Sequence, residues 1–188
     1  MSEPDPAARP AAPASYWEFV ETAQARLSER MPQADLDANL TVLSLNRAAQ
    51  AVTYDLESTL LRPQGWSAAS YRLMFVLWNT DELEPSNLAR LTGMTRAGVS
   101  NLTSALIERG LIARRPSATD GRGAVLSITE AGRAAITEIF RAHNEREAEW
   151  AALLTPQERA TLQGLLGKLL RESGQLAPRR RYEPKPGS

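Results

Sequence analysis

The chain contains no cysteine, a single histidine and only two lysines, and each shortage closes a class of function. Without cysteine there are no disulfides, thiolate nucleophiles, iron-sulfur clusters or thiol-based peroxide sensing. The one histidine, His143, falls in a charge-rich helical stretch. Metal sites and acid-base pairs need convergent partners, so it reads as a solvated surface residue. With Lys168 and Lys185 as the only lysines, binding to phosphates without sequence preference is disfavoured. No segment approaches the roughly 18 consecutive apolar residues of a membrane span. The opening MSEPDPAARPAAPAS has neither a basic start nor an apolar run, so it is not a secretory signal and a cytoplasmic location is expected. Also missing are a nucleophile elbow, a glycine-rich phosphate loop, an HExxH pair and any Cys/His cluster. Glu145, Glu147 and Glu149 alternate with Arg146 as on a solvated helix face. The expectation is a protein without catalytic activity, metal or cofactor.

What is present suits one soluble domain with tails: 188 residues, 43% hydrophobic and 23% charged, enough for a single core. Net charge is zero, but it is unevenly spread. Residues 1–89 hold 6 basic and 12 acidic side chains, net −6; residues 90–122 hold 6 and 2, net +4; residues 123–188 hold 10 and 8, net +2. Local charge, not the total, neutralises phosphates.

Residues 1–15 are rich in proline and alanine, and residues 174–188 combine three consecutive arginines, Arg179, Arg180 and Arg181, with three prolines; both read as loose tails. Tyr16, Trp17, Val20, Ala23 and Leu27 recur at helical spacing before Pro32. A longer helical pattern runs over residues 35–61, through Leu36, Leu40, Leu43, Arg47, Val52, Leu56 and Leu60, and closes at Arg62-Pro63. Its leucine and alanine content suits packing on more than one side. Ser67 caps a compact helix bearing Tyr71, Met74, Phe75 and Trp78, and Pro85 opens a short one that ends at Gly93. Thr95 caps a third, to about Arg109, with Val99, Leu102, Ala105 and Leu106 as the expected buried stripe; Gly110 stops it. The period then changes. Residues 111–115 and 124–128 read as two strands joined by a turn-rich link. Thr129 caps a long helix to about Leu154, and Thr155-Pro156-Gln157-Glu158 forms a capping box for the last helix, to about Glu172.

A short helix, a tight turn, a longer helix and a two-stranded hairpin make a winged helix-turn-helix. The fold class expected is mainly α with a small β-hairpin wing. The second helix of the motif suits a major groove and the hairpin tip an adjacent minor groove. The face expected outward carries Thr95, Arg96, Ala97, Ser100, Asn101, Thr103 and Ser104, small or polar groups able to meet base edges. Arg96 suits guanine and Asn101 adenine. At the hairpin tip Asp120 is placed to orient Arg122 toward a narrow minor groove, and Arg114 and Arg115 are expected along the flanking phosphates. Winged helices also serve as protein-protein modules, and that alternative stays open; the basic wing favours double-stranded DNA.

These residues resemble the MarR family of bacterial regulators. The resemblance is carried by Ser86-Asn87-Leu88-Ala89, Leu91, Thr95-Arg96, Val99-Ser100, Leu106-Ile107-Glu108-Arg109-Gly110-Leu111-Ile112, Arg114-Arg115, Asp120-x-Arg122 and Leu126-x-Ile128-Thr129-x-x-Gly132. It implies a homodimer that binds a pseudo-palindromic operator, usually as a repressor, with residues 63–129 as the DNA-binding lobe. Residues 16–62 and 130–173 would supply the dimerisation helices, through Trp17, Val20, Leu36, Leu40 and Leu43 and through Trp150, Leu153, Leu162, Leu165, Leu166, Leu169 and Leu170. It also implies release by a small aromatic or anionic effector, for which Trp17, Arg47, Tyr54, Trp66, Tyr71 and Arg72 are the candidate contacts. The N-terminal helix bearing Trp17 is similar to that of urate-responsive members, but Arg72 stands where they carry an acidic ligand residue.

Overall fold

The computed structural model describes residues 15–116 and 124–175. The chain divides into two compact units, Met1–Asp55 and Leu56–Ser188. In the first, helix α1 (Tyr16–Arg30) begins where Ser15 takes extended backbone and its hydroxyl accepts the Glu18 amide at 3.2 Å. That bond satisfies one of the N–H groups a helix start leaves unpaired. Helix α2 (Leu36–Leu56) starts on the Asp35 carboxylate, which accepts the Ala38 amide at 2.9 Å. Gln24 Nε2 donates to Asn39 Oδ1 at 3.4 Å, and the Arg47 guanidinium lies 5.5 Å from the Tyr16 ring centre. Val20 is buried by this chain itself, so it is not free to meet a second subunit as expected. Trp17 is exposed and Leu36, Leu40 and Leu43 are half-buried.

The second unit opens on a π turn (Glu57–Leu61) and a 3-10 turn (Arg62–Gln64). Gly65 ends this run at φ 73, a left-handed conformation that glycine adopts without steric cost, and the Trp66 amide returns to the Leu61 carbonyl at 2.9 Å. Helix α3 (Ala68–Thr80) follows behind a capping box of Ser67 and Ser70. Then come strand β1 (Glu82–Leu83), helices α4 (Pro85–Thr92) and α5 (Arg96–Glu108), strands β2 (Ile112–Pro116) and β3 (Ala124–Ile128), and helices α6 (Glu130–Ala151) and α7 (Pro156–Glu172). The strands form one antiparallel sheet in the order β1-β3-β2, with Ile112 opposite Ile128 and Leu83 opposite Leu126. The expected hairpin is there, extended by a third strand. Two residues carry no period, so β1 left no trace in the sequence pattern.

One core holds this unit together. Leu73, Met74 and Leu77 of α3, Leu88 of α4, Val99 and Leu106 of α5, Ile112 and Leu126 of the sheet, and Ile136 and Ile139 of α6 are almost wholly excluded from water. Each contributes roughly 2 kcal/mol by burial. His143 belongs here too, which corrects the expectation of a solvated residue. It is 6% exposed and its ring stacks on Tyr71 at 4.1 Å between centres. A ring of moderate polarity packs well against an aromatic face, and helical spacing in a charged stretch conceals that.

The strand-to-helix junction fixes α6 on the sheet. Thr129 Oγ1 accepts the Gly132 amide at 3.0 Å and lies 2.7 Å from the Gly110 carbonyl oxygen, to which its hydroxyl donates. Gly132 is tight against the chain: a Cβ there would lie 2.0 Å from the Leu111 carbonyl oxygen. The Thr-x-x-Gly pattern is thus a cap and a close approach in four residues.

Candidate nucleic-acid interface

Helix α4 starts on Pro85, whose missing N–H falls among groups without intrahelical partners. It ends at Gly93, φ 70, with the Met94 amide bonded to the Ala89 carbonyl. The buried Thr92 hydroxyl donates to the Leu88 carbonyl at 2.7 Å. After this turn Thr95 caps α5, its hydroxyl accepting the Gly98 amide at 3.1 Å.

Val99, Thr103 and Leu106, at i, i+4 and i+7, face the core, with Leu102 half-buried beside them. Thr103 therefore leaves the expected reading face: it is 7% exposed, and its hydroxyl donates to the Ser100 carbonyl at 2.9 Å. Ala105, expected inside, is exposed instead. The face is rotated slightly from that expectation, because threonine can bury its methyl once its hydroxyl has a backbone acceptor. Arg96, Ala97, Ser100, Asn101 and Ser104 remain exposed, as does the capping Thr95. The Ser104 hydroxyl donates back to the Ser100 carbonyl at 3.1 Å.

Arg114 and Arg115 are exposed near the end of β2, opposite Leu126 and Val125. Consecutive strand residues leave on opposite faces of the pleat, so the two guanidinium groups do not form one row. Asp120 and Arg122 lie outside the described residues, as do Arg179, Arg180 and Arg181.

At the far end of α5 sits a contact no local pattern announces. Arg109 Nη1 donates to the Gly65 carbonyl at 3.2 Å, and its guanidinium lies 5.3 Å from the Trp66 ring centre. The partners are 43 and 44 residues away, so neither spacing nor periodicity could link them.

Residues 64–123 match the model described as MarR family. A protein named for transcriptional regulation of the hcr operon in Thauera aromatica is 30% identical over 131 residues, 70% of this chain and 79% of that one. The chain belongs to the MarR family. The family's fold is seen again in a mutant MarR from Escherichia coli complexed with operator DNA, with TM-score 0.64, 23% identity, and coverage of 77% of this chain and 97% of that one. NadR in complex with 4-hydroxyphenylacetate shares the fold at TM-score 0.60 and 22% identity, over 68% of this chain and 89% of that one. As a MarR-family protein the chain is a transcriptional regulator of the winged helix-turn-helix type, and the matched proteins are regulators rather than enzymes. No helix among the described residues is long and apolar enough to cross a membrane.

The six candidate effector contacts separate in this MarR-family chain. Trp66 and Tyr71 are core residues, one under Arg109 and the other against His143. Both had been expected to line a ligand, and aromatic residues at helical spacing give no sign of which kind they are. Burial, with the Glu147 charge adding to it, pushes the Tyr71 phenol well above its ordinary range, so it stays protonated. The His143 Nδ1 stands 3.2 Å from Glu147 Oε1 without hydrogen-bond geometry. Trp17, Arg47, Tyr54 and Arg72 are exposed.

Proposed function

We propose that this chain is a homodimeric repressor that reads a pseudo-palindromic operator with α5 and is released by a small aromatic anion. The observation that carries the DNA reading is the two-sided build of α5: Val99, Thr103 and Leu106 anchor one side, while Arg96, Ala97, Ser100, Asn101 and Ser104 stand in solvent on the other. Small side chains let the helix approach base edges, Arg96 suits guanine and Asn101 suits adenine. Thr95 contributes its cap and the adjacent amides, which attract phosphate. Arg114 and Arg115 serve phosphates on the two sides of the hairpin, and Asp120 and Arg122 are assigned to minor-groove contact on the sequence alone. Residues 63–129 make up this DNA-binding lobe.

The dimer is supported by α7, which has no buried residue and leaves Leu162, Leu165, Leu169 and Leu170 exposed. An apolar stripe of that size on a regulator calls for a partner helix. For the effector, an aromatic carboxylate suits the exposed Trp17, Arg47 and Tyr54 of the first unit, which offer aromatic faces and a guanidinium group; NadR, of the same fold, is complexed with such a compound.

The test is selection of bound duplexes from a random pool at physiological salt. The expected product is an inverted repeat with half-sites about one helical turn apart. No enrichment by folded, dimeric protein, alone or with aromatic carboxylates added, would overturn the reading in favour of a protein-interaction module.

A further inference from the structure

We propose that Arg109 is a positioning residue for DNA recognition: it clamps the C-terminal end of α5 to Trp66 and Gly65 and does not itself hold phosphate. This rests on the reading of α5 as the DNA-reading helix. An exposed arginine in the most basic stretch of the chain would by default be counted as a phosphate contact. Its contacts assign it elsewhere. The Arg109 amide is bonded to the Ala105 and Ile107 carbonyls, and Gly110, at φ 70, turns the chain away immediately after. From that fixed base the side chain lies over the Trp66 indole at 5.3 Å and donates to the Gly65 carbonyl at 3.2 Å.

Both receiving groups are held still. Trp66 is 6% exposed with its amide bonded to the Leu61 carbonyl, and the Gly65 amide is bonded to the Arg62 carbonyl. A planar guanidinium can stack on an aromatic face and donate from its edge at once, which an ammonium group cannot do. The clamp therefore ties α5 to the turn that closes the run Glu57–Gln64.

The stiffness of α5 makes that end matter. A 13-residue helix is a stiff rod about 20 Å long, so a slide of its C-terminal end by roughly 3 Å, two residues of helical rise, is passed on in full to Arg96 at the other end. Base-edge hydrogen bonds span only about 2.7–3.2 Å between heavy atoms and do not survive such a shift. Fixing the far end keeps Arg96, Ser100 and Asn101 in register with the bases.

The experiment uses the full chain, with Arg109→Ala, Arg109→Lys, Trp66→Phe and the Arg109→Ala/Trp66→Phe pair. Amide hydrogen exchange without DNA comes first, because it does not depend on the proposed function. Faster exchange in residues 105–111 of Arg109→Ala, with unchanged circular dichroism, is expected; unchanged protection overturns the clamp. On the selected operator, Arg109→Ala should bind about fivefold or more weakly. The slope of log affinity against log salt should stay as in the parent, and Arg109→Lys should fail to restore affinity. The loss should shrink when Trp66 is already phenylalanine. A slope reduced by about 0.9, the signature of one lost phosphate contact, with rescue by lysine, would overturn the proposal. So would unchanged affinity in a parent that binds DNA. A parent that selects no DNA sinks the functional reading, while the exchange result still decides the clamp.

Discussion

At the scale of single residues, the sharpest constraint is at Gly132. A Cβ there would sit 2.0 Å from the Leu111 carbonyl oxygen and 3.0 Å from Ile128 Cγ1, and backbone cannot yield as the end of a flexible side chain can. Gly132→Ala should therefore destabilise the protein by about 3 kcal/mol or more, despite alanine's better helix propensity of about 1 kcal/mol. Urea unfolding of the parent and variant checks this; a stabilised variant would mean that Gly132 does not lie against Leu111 and Ile128 as described. The glycine itself was legible in the Thr-x-x-Gly pattern, but its reason was not, since Leu111 is 21 residues away. The errors at this scale have the same origin. Thr103, His143, Trp66 and Tyr71 are polar or aromatic residues that, once buried, each meet a particular partner: the Ser100 carbonyl, the Tyr71 ring, the Arg109 guanidinium and the His143 ring. Hydrophobic periodicity places a helix face to within a residue or so and is silent about such pairings.

Elements were far more legible, because their ends are written locally. Ser15, Ser67, Thr95, Thr129 and Thr155 each accept an amide of the helix they begin, and Gly93 and Gly110 take the left-handed conformations that end helices. What escaped was the element too short to have a pattern, β1, and the widening of the helical run at Glu57–Leu61. The cap of α7 makes a prediction of its own. The Glu158 carboxylate accepts the Thr155 amide and hydroxyl, both at 2.8 Å. The Thr155 backbone bond, then its side-chain bond, hold the Glu158 carboxyl below its ordinary range. A depressed acid contributes stability above its unfolded value, about 4.3 for Glu, and loses it as the pH falls through the folded value. The stability gap between the parent and Glu158→Ala should accordingly be constant near neutrality and close in acid. Chemical denaturation at a series of pH values measures it. A gap that persists below the carboxylate range would show that Glu158 acts by packing, not by charge.

At the scale of the whole molecule, the question is why α7 carries leucines that this chain leaves in water. Leu162, Leu165 and Leu169 recur at i, i+3 and i+7, and Leu170 is 78% exposed. A helix with no buried residue of its own gains little from folding against its own chain; burial against a second copy would return roughly 2 kcal/mol for each leucine covered. In the dimer we propose, the same pairing would serve recognition. One α5 presents few base-reading groups, whereas two of them, about one helical turn apart, make binding of the second half-site intramolecular. Replacing Leu165 and Leu169 together by Glu should leave the core untouched, since neither residue belongs to it. The variant should remain helical by circular dichroism, sediment as a monomer, and bind the selected operator about a hundredfold or more weakly than the parent. A variant that sediments as a dimer places the interface elsewhere. One that is monomeric yet binds the full operator as tightly as before would mean that a single α5 and wing supply all the affinity, and that the exposed leucines answer to some other partner.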